Sequence, residues 1–173
     1  MKQPKQSGSH RFGFTLMGLV LGALWLMFCL GATAAELVPG EAFPALALPD
    51  QHGESMEIGD DTEIVLFAAD KPASDLLNGF LKDQVDDFLI SRKAAYIADI
   101  SGMPGLISRM IALPRMRERP YPILLAEDSA QAGFIPSREG AVTVVRLATR
   151  RVNAVAFAAD RASLTKLLPP RRP

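Results

Sequence analysis

The chain has 173 residues, 49 % of them hydrophobic and 22 % charged. That is room for one ordinary globular domain and excludes a fibrous or disordered protein. Nineteen Lys and Arg balance nineteen Asp and Glu, so no bulk charge points to nucleic acid, and the one cysteine, Cys29, has no partner for an intramolecular disulfide.

Lys2, Lys5, His10 and Arg11 precede a charge-free run from Phe12 to Gly31, and Ala32-Thr33-Ala34 follows it. A basic start, an apolar run and a small-x-small site make the pattern of a secretory signal. Residues 1–34 are therefore expected to be a signal peptide cleaved after Ala34. The run also has about the 20 residues that a bilayer-spanning helix requires, so an uncleaved anchor is the alternative. Cys29 lies inside this segment, and the domain expected over 35–168 carries no thiol.

Past a Pro- and Gly-punctuated lead-in, Ala45–Asp50 and Ser55–Ile58 flank Gln51-His52-Gly53, which reads as a hairpin. Glu63–Ala69 is a short apolar run expected to be a buried strand. Asp70-Lys71-Pro72-Ala73-Ser74 interrupts it, with Ser74 expected to cap the next helix. That helix carries Leu76, Leu77, Phe80, Leu81, Val85, Phe88 and Leu89 on one face and Asp83, Asp86 and Asp87 on the other. Ala94–Asp99 is a second strand. A helix is expected to begin at Ser101-Gly102-Met103-Pro104, to turn Leu106, Ile107, Met110 and Ile111 inward, and to stop at Pro114. Ile123–Ala126 is a third strand and Gly133–Gly140 a loop. Val142–Leu147 and Val152–Phe157 form an antiparallel pair around Ala148–Arg151. A last helix, capped by Asp160, runs to Leu168, and residues 169–173 are expected to be a disordered tail.

This order resembles the thioredoxin-like superfamily, with the leading hairpin of peroxiredoxins and periplasmic thiol reductants. Gly40-x-x-Phe43-Pro44-x-x-Ala47-Leu48-x-Asp50-Gln51-His52-Gly53 is similar to the opening of those families, and Ile64-Val-Leu-Phe67 looks like their central strand. The resemblance implies a thioredoxin-like three-layer α/β sandwich with an N-terminal β-hairpin, working in the periplasm, or held at the inner membrane if the signal stays.

In the redox members, the loop after the central strand holds a reactive cysteine at a helix N-terminus, and only its thiolate attacks a disulfide or a peroxide. Here that loop is Lys71-Pro72-Ala73-Ser74, a degenerate active-site loop with no thiol, and Ser74 has no nearby histidine to activate it. The families' cis-proline has two candidate places. Pro122 precedes one strand, but the final hairpin aligns better with Ala141 onward, which puts Gly140 in the proline's place.

No catalytic, cofactor or metal residue is assigned on these grounds. The expected function is an exported, non-catalytic binding or accessory module whose partner is another envelope protein. Contact with a membrane is expected only through an uncleaved N-terminal segment, and nucleic acid is not expected. A cysteine-independent enzyme would need a pocket converging on Asp99, Lys71 or Asp75. A copper(I) protein would use the soft thioethers of Met103, Met110 and Met116, with Met56 and His52; Met103 and Met110 are also spaced as ordinary core residues of a helix.

Charge divides along the chain. Glu36–Asp99 holds 14 acids and four bases, whereas Ile100–Pro173 holds five acids and 12 bases. Arg115, Arg117 and Arg119 are the candidate partner-binding residues, expected as an exposed basic patch on a face apart from Asp83–Asp87.

Overall fold

The computed structural model describes residues 37–168. The expected signal over 1–34 and the expected tail over 169–173 lie outside the described residues.

Five strands form one sheet in the order β5-β4-β3-β6-β7. They are β3 (Ile64–Ala68), β4 (Ala94–Asp99), β5 (Leu124–Ala126), β6 (Val142–Ala148) and β7 (Arg151–Ala158). The apolar run at Ile64 takes the central place, parallel to β4 and antiparallel to β6. Successive side chains of a strand face opposite ways. Accordingly Leu66 and Ala68 enter one buried cluster, while Val65 and Phe67 enter the other. A strand covered on both faces has to be apolar throughout, and β3 is.

One face is covered by helices: α1 (Lys71–Leu81), α2 (Phe88–Ser91) and α6 (Arg161–Leu167), which bury Leu77, Phe80, Phe88, Leu89 and Leu164. The other face carries Leu37, Phe43, Leu48 and Ile58 from the lead-in and from the hairpin of β1 (Ala47–Pro49) and β2 (Ser55–Glu57). Its only helix among the described residues is α5 (Ser129–Ala132). The second covering layer is therefore mostly extended chain, because no helical period of apolar residues is available to it. The capping box of α5, with Asp128 Oδ1 accepting from Ala130 N at 2.9 Å and Gln131 Oε1 from Asp128 N at 3.0 Å, is a sequence signal between the third strand and the loop that the expectations left unassigned.

Asp50 builds the hairpin tip. Its Oδ1 accepts from His52 N at 2.8 Å and Glu54 N at 2.9 Å. Burial opposes the charge, but these backbone N–H groups hold the carboxyl below its usual range. Gln51, buried behind it, accepts from Ile123 N at 2.7 Å and donates to the Tyr121 carbonyl at 2.9 Å, fixing the hairpin to the chain that enters β5.

Two helices depart from expectation. The first ends at Leu81 instead of running through Leu89; Lys82, Asp83 and Gln84 close it with backbone bonds to Asn78, Phe80 and Leu81. Val85 stands 70 % exposed. The break lets Phe88 return on α2 and meet Phe80 edge-on, with ring centroids 5.7 Å apart.

The second runs as α3 (Gly105–Ile107), a π-helical turn (Ser108–Ala112) and α4 (Leu113–Arg117). Pro114 lies inside it. Proline has no N–H to donate and crowds the carbonyl four residues back, and the wide turn before it opens the ladder at that point. Met103, Leu113 and Met116 pack inward, while Leu106, Ile107, Met110 and Ile111 face out, the reverse of the expected side. The segment has more apolar side chains than one face can bury, so periodicity alone does not choose among them.

Leu66→Ala should cost about 2–5 kcal/mol in urea unfolding, the range for a fully packed leucine. Val85→Asp should change stability by no more than about 0.5 kcal/mol; a loss of several would place Val85 inside a continuous helix.

Candidate functional site

The C-terminal end of β3 delivers the chain into α1, and Asp70 caps that helix. Its Oδ1 accepts from Ala73 N at 2.7 Å, so the cap is Asp70 and not Ser74. Its Oδ2 accepts from Gly140 N, also at 2.7 Å. Lys71, Pro72, Ala73 and Ser74 thus form the first turn of α1 rather than a loop. Gly140, at φ +69°, faces them, and a Cβ built there would lie 3.9 Å from Pro72 Cβ. The described residues contain no cis peptide, and Gly140 holds the place opposite the helix start, as the alignment through the final hairpin requires.

Ser74 is turned inward on α1. Its Oγ lies 2.9 Å from the Tyr96 hydroxyl and accepts from Asn78 Nδ2 at 3.3 Å. The Tyr121 hydroxyl donates to Asn78 Oδ1 at 3.1 Å. The two tyrosines of the chain thus end on one serine and one asparagine spaced i, i+4 on a helix. Sequence reasoning missed Asn78, Tyr96 and Tyr121; the signal was two polar residues one turn apart beside an otherwise apolar face. Burial pushes the Tyr96 phenol up to about 12, and burial raises Tyr121 as well.

Beside this network lies a cleft of about 290 Å³. Lys71, Ser74, Asp75 and Asn78 form the wall on α1, and Ile107, Ile111, Arg115 and Arg119 belong to the opposite wall. Asp99, Ile100 and Met103 close one end. Lys71, Asp75 and Asp99 therefore do share a pocket, but each has a local task. Lys71 pairs with Asp75 one turn on, and Asp99 Oδ1 accepts from Ser101 N at 2.9 Å.

The arginine trio divides. Arg117 Nε donates to the carbonyl of Gln51 at 2.9 Å, tying the helix to the hairpin tip. Arg115 and Arg119 line the cleft. Among the described residues none of the three forms an ion pair. The acids are not set apart as expected. Asp83 pairs with Arg161 of α6 at 2.6 Å, and Asp86 shares a groove of about 180 Å³ with Arg119.

The methionines are not gathered either. Met103 and Met116 line the cleft, but Met110 is exposed, and Met56 and His52 stand exposed on the hairpin. Among the described residues no cluster of three His, Cys, Asp or Glu is placed to hold a metal ion.

No family model matches the chain, and no curated protein matches it. Solved structures do. Peroxidoxin BcpB from Mycobacterium tuberculosis is 18 % identical, with a TM-score of 0.53 over 77 % of this chain and 95 % of that one. A candidate protein disulfide isomerase from Bacteroides thetaiotaomicron is 13 % identical, with a TM-score of 0.52 over 76 % and 86 %. A candidate thioredoxin from Neisseria meningitidis is 14 % identical, with a TM-score of 0.51 over 75 % and 87 %. At such identities the likeness speaks for the fold alone, and the fold is thioredoxin-like with an N-terminal hairpin.

Asp70→Ala should destabilise the protein by about 1–3 kcal/mol, since it removes a helix cap and leaves Gly140 N unpaired; an unfolding midpoint like that of the unaltered protein would refute the bridge. The Tyr96 phenol predicts an alkaline limit. Its folded pKa is raised, so its contribution is whole below about pH 10, the unfolded value, and is lost as pH climbs towards about 12. Tyr96→Phe should flatten stability against pH across that window, read from urea midpoints.

Proposed function

We propose that this thioredoxin-like domain is exported to the periplasm and serves there as a non-catalytic binding or accessory module for an acidic component of the envelope. The observation that carries this reading is the start of α1. Where redox relatives of the fold need a thiolate, this chain has Lys71-Pro72-Ala73-Ser74, and the only cysteine of the sequence is Cys29. The helix N-terminus already holds a carboxylate, that of Asp70, so the field that would stabilise a thiolate acts on a group without redox chemistry. Export is supported by the charge-free run Phe12–Gly31 and by Ala32-Thr33-Ala34. An acidic partner is supported by Arg115 and Arg119, which lie beside apolar side chains of the cleft and pair with no carboxylate among the described residues.

The purified protein, free of contaminating oxidoreductases, should neither reduce insulin disulfides nor consume peroxide faster than buffer does. Turnover in either assay would overturn the non-catalytic reading.

A further inference from the structure

We propose that the outer surface of the 105–119 segment docks on an anionic phospholipid bilayer, lying in the plane of its interface. The inference rests on the binding-module reading and names its partner. Its first ground is the reversal of the helix. Leu106 and Met110 are 72 % and 69 % exposed, and Ile107 and Ile111 are exposed beside them. Leu106 and Met110 recur one turn apart on the outer side, and Ile107 and Ile111, about half exposed, carry the apolar surface round to the rim of the cleft. Single exposed aliphatic residues are ordinary on a protein surface, but four together need a covering partner.

The second ground is charge. Between Gly105 and Pro120 the chain has Arg109, Arg115, Arg117 and Arg119 against Glu118 alone. Arg115 and Arg119 line the cleft with Ile107 and Ile111, and guanidinium groups next to aliphatic side chains suit phosphate oxygens lying over acyl chains. The apolar patch has no aromatic residue, the kind that anchors most protein–protein contacts. The third ground is chain length. Leu37 lies six positions after Gly31, the end of the apolar run. Fully extended, this stretch reaches about 20 Å, less than the diameter implied by a radius of gyration of about 14 Å for a domain of this size. While the run is in a bilayer, before or without cleavage, the domain stays within touching distance of the lipid.

Hydrogen exchange on the full chain in lipid nanodiscs tests this. Amides of 105–117 should exchange several-fold more slowly in discs containing phosphatidylglycerol than in discs of phosphatidylcholine alone, and the difference should vanish at high salt. Arg115→Gln with Arg119→Gln, and separately Leu106→Ser with Met110→Ser, should each abolish the difference without lowering the melting temperature. Arg117 is left in place because it holds Gln51. Equal exchange in both discs overturns the lipid inference. Slowing that requires two chains per disc also overturns it, in favour of a second copy. Slowing by polyglutamate but not by phosphatidylglycerol assigns the arginines to an acidic protein and leaves the module reading standing, whereas exchange unaltered by either probe overturns both.

Discussion

The carboxylate of Asp70 joins two parts of the chain just beyond Phe67 and Thr143, the last residues paired between β3 and β6. One oxygen takes the Ala73 N–H of helix α1, and the other takes the Gly140 N–H just before β6. The first contact sets where the helix starts, and so places Ser74 over Tyr96 and Asn78 over Tyr121. The second holds the segment opposite the helix start near Pro72. A helix N-terminus attracts one anion strongly, and a second anion beside it would meet like charge. Here the anion is a carboxylate supplied by the chain itself, and it ties the start of α1 to the segment that leads into β6.

What could be read in the sequence was whatever a segment decides for itself. Ile64–Ala68 and Ala94–Ala98 are apolar on both faces and had to be interior strands. Asp160 caps its helix through Ser163 N at 2.7 Å, a contact only three residues long. Gly140 was placed by aligning a whole hairpin. The failures lie where the partner is distant. Ser74 suits a cap locally, but its hydroxyl is claimed by Tyr96, 22 residues away. Arg117 looks like a free surface cation until Gln51, 66 residues earlier, is brought beneath it. The side on which the 105–117 helix is buried depended on how much apolar surface the sheet face had left, a quantity that no window on the helix contains.

The split of charge along the chain resolves into several small contacts. Asp60 with Arg150 and Asp83 with Arg161 join the acidic half to the basic one, and both pairs are exposed enough to be worth only about 0–1 kcal/mol each. Other arginines bind carbonyls and rings instead. Arg146 donates to the Leu167 carbonyl, Arg151 to that of Gly40, and Arg138 stacks 4.0 Å above the Phe157 ring. Arginine serves here as a planar donor with a long apolar stem as much as a charge. Among the described residues, Arg115 and Arg119 make no such contact, and both line the same cleft.

The lead-in has a role in how the domain is completed. Gly40 N donates to Val152 O and Val152 N to Glu41 O, at 2.7 and 2.8 Å, while Phe43 N reaches Arg150 O at 2.7 Å. These bonds lie along β7, the outermost strand, whose edge would otherwise offer free backbone groups to another chain. They also steady Thr149 and Arg150, both at positive φ, in a turn that suits neither side chain. Arg151 and Gly40 stand 111 residues apart. The part of the domain made first thus waits for the part made nearly last. Until β7 exists, the lead-in lacks these bonds and keeps only its packing and the Leu37–Phe134 link, and until the lead-in docks, the edge of β7 is open. The interval between the two is when this chain is most exposed to mispairing, and anything that binds extended apolar segments would act on it then.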